Sequence, residues 1–157
     1  NSSALTNQTD RALRLNATSA EETNSAFWNN VAPTSTTFSL GNGISINGNS
    51  YIAYCFASKA GYSKVGSYVG TGATGNVQYL GFEPAFLLVK RTSSTSDWYM
   101  IDNKRNPSNP RNSWLNANTS TAEYTPSHGV DFLSNGFSFI STDLNGTGQS
   151  WIYLAIA

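Results

Sequence analysis

Sulfur and imidazole are nearly absent: the 157 residues include one cysteine, one methionine and one histidine. A lone Cys55 excludes a disulfide framework within the chain, and inside an apolar run it reads as a small buried hydrophobe. One Cys and one His cannot supply the ligand set of a zinc site. Charge is equally scarce, at 11% of residues with a formal net of zero. Nothing builds the positive field that phosphate backbones require, so no nucleic-acid partner is expected. No apolar run approaches the roughly 20 residues that span a bilayer, and no basic-then-apolar leader opens the sequence, so no membrane span is expected. The first residue is Asn1 and not Met, which suggests cleavage or a piece of a longer polypeptide.

What is abundant is Asn, Ser, Thr and Gly, together with 13% aromatic residues. That mixture suits short strands joined by turns and disfavours helices. Apolar runs at 51–57, 85–89, 98–101 and 151–157 are short and rich in aromatic and β-branched residues, so they read as strands covered on both faces. Turn signals separate them: Gly41-Asn42-Gly43, Asn47-Gly48, the glycine-rich 70–75, Asn106-Pro107-Ser108-Asn109-Pro110, Ser134-Asn135-Gly136 and Asn145-Gly146. The expected fold class is all-β, an antiparallel β-sandwich of jelly-roll type with little helix. Ser19-x-x-Glu22 and Ser120-x-x-Glu123 have capping-box form, but no helical apolar period follows either.

The segment 15–57 recurs as 115–157. Leu15-Asn16-Ala17 matches Leu115-Asn116-Ala117, Phe38-Ser39-Leu40 matches Phe137-Ser138-Phe139, and Tyr51-Ile52-Ala53-Tyr54-Cys55-Phe56-Ala57 matches Trp151-Ile152-Tyr153-Leu154-Ala155-Ile156-Ala157. An offset of 98 to 100 residues is the size of a small sandwich domain, larger than a solenoid repeat. Residues 61–157 are then expected to form one complete β-sandwich unit. Residues 1–60 are expected to be the second half of another, packed on the first or completed by a neighbour.

The run 51–57, then Gly61-Tyr62-Ser63-Lys64-Val65-Gly66-Ser67-Tyr68 and Gly81-Phe82-Glu83-Pro84-Ala85-Phe86-Leu87-Leu88-Val89-Lys90-Arg91, resembles a repeat module of marine and cyanobacterial bacteriophage virion proteins. Trp98-Tyr99-Met100-Ile101-Asp102, Arg105, the 118–123 stretch and Phe132-Leu133-Ser134-Asn135-Gly136-Phe137 continue the resemblance, which runs from about Leu15 onward. It implies a concanavalin-like, laminin-G-like sandwich, in tandem within long tail-fibre or appendage proteins. It implies no catalytic residues. The role that follows is a non-enzymatic structural component of the virion, an extracellular particle, with other virion proteins or copies of itself as partners and a homo-oligomeric state. A capsid decoration protein is the close variant, and a lectin-like module binding a host-surface glycan is the alternative.

The chemical motifs weigh little against this. Gly70-Thr71-Gly72-Ala73-Thr74-Gly75 fits GxGxxG, but a strand-like Asn76-Val77-Gln78-Tyr79-Leu80 follows where a helix must, so it reads as a hairpin loop. His128 with Ser127 and Asp131 invites a triad reading without any nucleophile elbow. Asp143-Leu144-Asn145-Gly146 is only a partial calcium loop, no pair of carboxylates stands out for glycoside hydrolysis, and no cofactor is expected. Five Asn-x-Ser/Thr matches, at Asn1, Asn7, Asn16, Asn118 and Asn145, follow from the composition. For the glycan alternative the residues are Trp98, Tyr99, Asp102, Arg105 and Trp114, with Trp28 nearby. Aromatic faces stack on sugars, while core or inter-subunit packing is the commoner fate of such side chains.

Overall fold

The computed structural model describes residues 2–157 and contains strands, turns and loops with no helix among them. Two short strands, β1 (Arg11–Ala12) and β2 (Glu22–Thr23), pair near the beginning. The rest of the strands lie beyond residue 60: β3 (Ser63–Val69), β4 (Asn76–Tyr79), β5 (Phe86–Arg91), β6 (Trp98–Asp102), β7 (Trp114–Asn116), β8 (Val130–Leu133), β9 (Gly136–Phe139) and β10 (Ser150–Ile156). They form a five-stranded sheet in the order β3-β10-β5-β6-β7 and a three-stranded sheet β4-β9-β8. Every pairing is antiparallel. The fold is the β-sandwich expected.

Strand register decides which side chains meet. Trp151, Tyr153 and Ala155 of β10 stand opposite Arg91, Val89 and Leu87 of β5, and Leu87 stands opposite Ile101 of β6. With the period of two, one face of the five-stranded sheet carries Tyr68, Leu87, Val89, Ile101, Trp114, Trp151, Tyr153 and Ala155. These pack with Val130, Phe132, Phe137 and Phe139 of the other sheet into one buried core. Aromatic rings set its geometry: Phe137 meets Phe139 and Tyr153 edge-on at 5.4 and 5.2 Å, and Tyr68 stacks with Trp151 at 6.1 Å. Burial pushes the Tyr68 phenol well above its ordinary pKa, and its hydroxyl donates to the Leu144 carbonyl at 2.7 Å.

The opposite face of that sheet is covered by the beginning of the chain. Leu5, Trp98 and Ile152 form a second cluster, with Ala4, Leu13, Leu88 and Ala117 against it. Trp98 Nε1 donates to the Arg14 carbonyl at 2.8 Å, and the Glu21 and Ser96 amides donate to the carbonyls of Thr92 and Thr18 at 2.9 Å. This third layer explains why β5 and β10 read as continuous apolar runs.

Three expectations are corrected. Residues 51–57 are not a covered strand: they form no ladder and every one is exposed, Cys55 included. The physical reason is that the sheet neighbours which bury their counterpart β10 are absent beside them. Cys55, expected as a small buried hydrophobe, is therefore an exposed thiol. The 70–75 loop is not a hairpin turn, because β3 and β4 belong to different sheets. It is clamped instead by Asn145, fully buried, which accepts from the Thr71 amide (2.9 Å) and Asn76 Nδ2 (2.6 Å) and donates to the Ala73 carbonyl (2.6 Å).

Candidate functional site

The residues singled out for a glycan lie at the β6–β7 end of the five-stranded sheet. Trp114 is 3% exposed and Trp98 9%. Tyr99 and Tyr124 meet Trp114 edge-on at 5.6 and 6.2 Å. Burial first, then the nearby Tyr99 and Asp97, raises the Tyr124 phenol to about 12. A sugar ring needs an open aromatic face, and neither tryptophan offers one. Trp28 is half-buried and donates through Nε1 to the Arg11 carbonyl at 2.7 Å.

Asp102 and Arg105 are also engaged internally. The Asp102 carboxylate accepts from the Lys104 and Arg105 amides at 2.8 Å and from Arg105 Nε at 2.6 Å. Partial burial works to raise its pKa, but these hydrogen bonds to the charged form win and hold it below the ordinary value. Arg105 reaches on to the Met100 carbonyl at 2.8 Å and to Glu123 at 3.4 Å. The group staples the turn after β6 to the 118–124 loop and is structural in character.

His128 is half exposed, and its Nδ1 faces both Ser127 Oγ at 3.0 Å and Asp143 Oδ2 at 3.3 Å. A catalytic relay needs the hydroxyl on one ring nitrogen and the carboxylate on the other. Here both share the same nitrogen, so the constellation does not have the arrangement of a catalytic triad. Asp131 lies in β8 opposite Ser138. Among the described residues, no three His, Cys, Asp or Glu side chains gather as a metal-holding group, and Asn145 of the partial calcium loop is spent on the 70–75 clamp.

Sequence reasoning passed over Lys90. Its side chain is fully buried under the N-terminal layer, where Nζ donates to the Thr18 and Arg91 carbonyls at 3.2 and 2.9 Å. Burial, reinforced by Arg91 and opposed by Asp97, pulls its pKa from 10.5 down to about 8. The available signal was its place at the end of Leu87-Leu88-Val89, where alternation puts it on a face already counted as covered. Its hydrogen bond to the Thr18 carbonyl makes it an anchor for the N-terminal layer.

The two best-formed hollows, about 220 Å³ beside Ser58, Ala60, Lys64 and Leu80 and about 150 Å³ between Leu13, Phe27, Trp28 and Ile44, fall below the ~300 Å³ of ordinary ligand pockets. The feature that stands out is an uncovered apolar strip. Ile52 is 82% exposed, Tyr54 81% and Phe56 60%, and Tyr62, Val69 and Tyr79 add exposed apolar area along the β3 and β4 edges. Lys64 Nζ donates to the Tyr79 carbonyl at 2.6 Å, so these two edges lie side by side. Exposed apolar area of this extent, contiguous in sequence, marks an interaction surface.

No curated protein and no solved structure matches the chain. A family model described as a domain of unknown function (DUF7483) matches residues 1–157, and the chain belongs to that family.

Proposed function

We propose that this chain is a non-enzymatic structural component of a bacteriophage virion, a tail-fibre or appendage module or a capsid decoration protein. It works by fitting against other virion proteins or copies of itself through strand pairing and aromatic packing. The observation that carries the reading is the uncovered 51–57 run, whose sequence is that of a core strand and whose side chains stand in solvent. The resemblance of residues 15–157 to phage virion repeat modules supports the extracellular particle as its location. The internal use of Trp98, Trp114, Asp102 and Arg105 gives the glycan-binding alternative no support.

Two measurements test this. Sedimentation equilibrium at micromolar concentration is expected to find an oligomer, and antibodies raised against the chain are expected to label intact phage particles from a lysate whose genome encodes it. A strict monomer that labels no particle would remove the reading.

A further inference from the structure

The same strip carries a more specific conclusion, which deepens the assembly reading and rests on it. The outward edge of β3 is unpaired. In the β10–β3 ladder Lys64, Gly66 and Tyr68 stand opposite Ala155, Tyr153 and Trp151. The Ser63 amide and carbonyl are instead exchanged with Lys59 at 3.0 and 2.8 Å, so Ser63, Val65, Ser67 and Val69 turn their backbone groups away from β10. Along that edge only side chains intervene: Ser58 Oγ accepts from the Val65 amide at 3.0 Å, and Asn76 Nδ2 donates to the Val69 carbonyl at 3.2 Å. No hydrogen bond within the chain reaches the amide or the carbonyl of Ser67 among the described residues.

The 51–57 run is shaped for that edge. The Lys59–Ser63 bridge is the first rung of an antiparallel hairpin. Continued in register it would set Ala57 against Val65, Cys55 against Ser67 and Ala53 against Val69. Ile52, Tyr54 and Phe56 would then project on the face that holds Gly66 and Tyr68, toward the interior of the sandwich, and the small Ala53, Cys55 and Ala57 would face out. Phe56 would fall beside Gly66, whose missing side chain already leaves room for the Tyr153 ring. Tyr54 would fall beside Tyr68. Within one copy this hairpin stops at its first rung. Ser63 Oγ takes the Ala57 carbonyl at 2.7 Å, and Ser58 Oγ takes the amide that Ala57 would have needed.

Each copy thus leaves unpaired both a strand-forming segment and the edge that fits it. We infer that two copies exchange these segments: residues 51–57 of one add to the β3 edge of the other as a sixth strand in the hairpin register, with residues 60–62 as the hinge. Exchange of an identical element closes a two-fold dimer without any new chemistry. Backbone rungs supply affinity, and the large-inside, small-outside alternation fixes register.

Cys55 is the chain's sole thiol, and in this register it faces Ser67 across a rung at a spacing a disulfide accepts, about 5.5 Å between Cα atoms. The test is the Ser67→Cys variant under mild oxidation. Sedimentation equilibrium is expected to give twice the chain mass, a non-reducing gel a covalent dimer, and peptide mass spectrometry a bond between Cys55 and the new thiol at position 67. Tyr54→Lys with Phe56→Lys is expected to sediment at the single-chain mass with the near-ultraviolet dichroism of the wild type. A bond between these two positions within one chain overturns the inference, since the hairpin then closes on itself. A dimer lacking that bond, or joined through Cys55 to Cys55, overturns this interface and leaves assembly by another surface standing. A monomer in every preparation overturns the inference, and the assembly reading falls with it only if intact particles also go unlabelled.

Discussion

At the scale of single residues, buried polar groups give the sharpest expectations. Lys90 sits without a carboxylate within hydrogen-bond reach, and its pKa falls from 10.5 to about 8. A lysine that releases its proton more readily when folded leaves the unfolded chain holding more protons between about pH 8 and 10.5. Stability therefore rises with pH across that window, and below pH 8 the burden of the buried charge is fully present. Replacing it in Lys90→Met removes this dependence. Compared by urea midpoints, the variant's standing relative to the wild type is expected to be better at pH 7 than at pH 10.5 by roughly 3 kcal/mol. A pH-independent gap would mean that the ammonium is not desolvated. Asn145 makes the complementary case, because its side chain bonds Thr71 and Ala73 of the 70–75 loop and Asn76 just beyond it. Asn145→Asp abolishes the donation to the Ala73 carbonyl and buries a charge, at an expected cost of about 3 kcal/mol in urea unfolding at pH 7, against about 2 for Asn145→Ala. Neither role was legible in the sequence. Lys90 ended an apolar run and Asn145 sat in a turn signal; contacts with Thr18 and with Thr71 and Ala73, distant along the chain, turned both into buried anchors.

Among elements, what the sequence revealed depended on whether a strand's neighbours lay within the chain. The runs at 85–89, 98–101 and 151–157 became β5, β6 and β10 because each has a partner on both edges and cover above and below. The 51–57 run has the same apolar character and repeat position as β10, yet lies unpaired and exposed. Local pattern specifies what a segment is fit for, and only tertiary partners decide whether it does so. The same logic applies to Trp98, a plausible sugar platform by residue type that instead pins the Arg14 carbonyl and packs on Leu5 and Ile152. Trp98→Ala empties the seam between the N-terminal layer and the five-stranded sheet. Amide hydrogen exchange is expected to speed up at least tenfold at Ala12, Glu21 and Asn24, while Leu87, Val89 and Tyr153 in the sandwich core remain protected. Uniform acceleration through both regions would show that the layer and the sandwich open as one unit.

For the whole molecule, the division expected at residue 60 has a thermodynamic counterpart. Every residue of the main core, from Tyr68 to Ala155, lies beyond that point, as do both sheets of the sandwich. The first 60 residues bury little of their own: Leu5, Ala12 and Phe27 are their buried hydrophobics, and Leu5 is buried against Trp98 and Ile152. A segment of that size with so small a core cannot offset its conformational entropy unaided. The sandwich can, although without its third layer it would expose the outer face of Leu88, Trp98 and Ile152 and set the Lys90 ammonium free of the Thr18 carbonyl. Produced alone, residues 61–157 are therefore expected to unfold cooperatively in urea, at a lower midpoint than the full sequence, and to keep the near-ultraviolet dichroism of buried Trp114 and Trp151. Residues 1–60 alone are expected to show no cooperative transition. The repeat offset suggests this boundary because duplication marks where a foldable unit starts and stops, and the fragment experiment tests it. It raised packing of the first 60 residues on this unit as one of two options, but not that they would cover the outer face of the five-stranded sheet, which depends on the match between Leu5, Leu13 and the outer face of β10. Loss of cooperative unfolding in the 61–157 fragment would show that this lid is part of the core, and that the chain folds as one indivisible body.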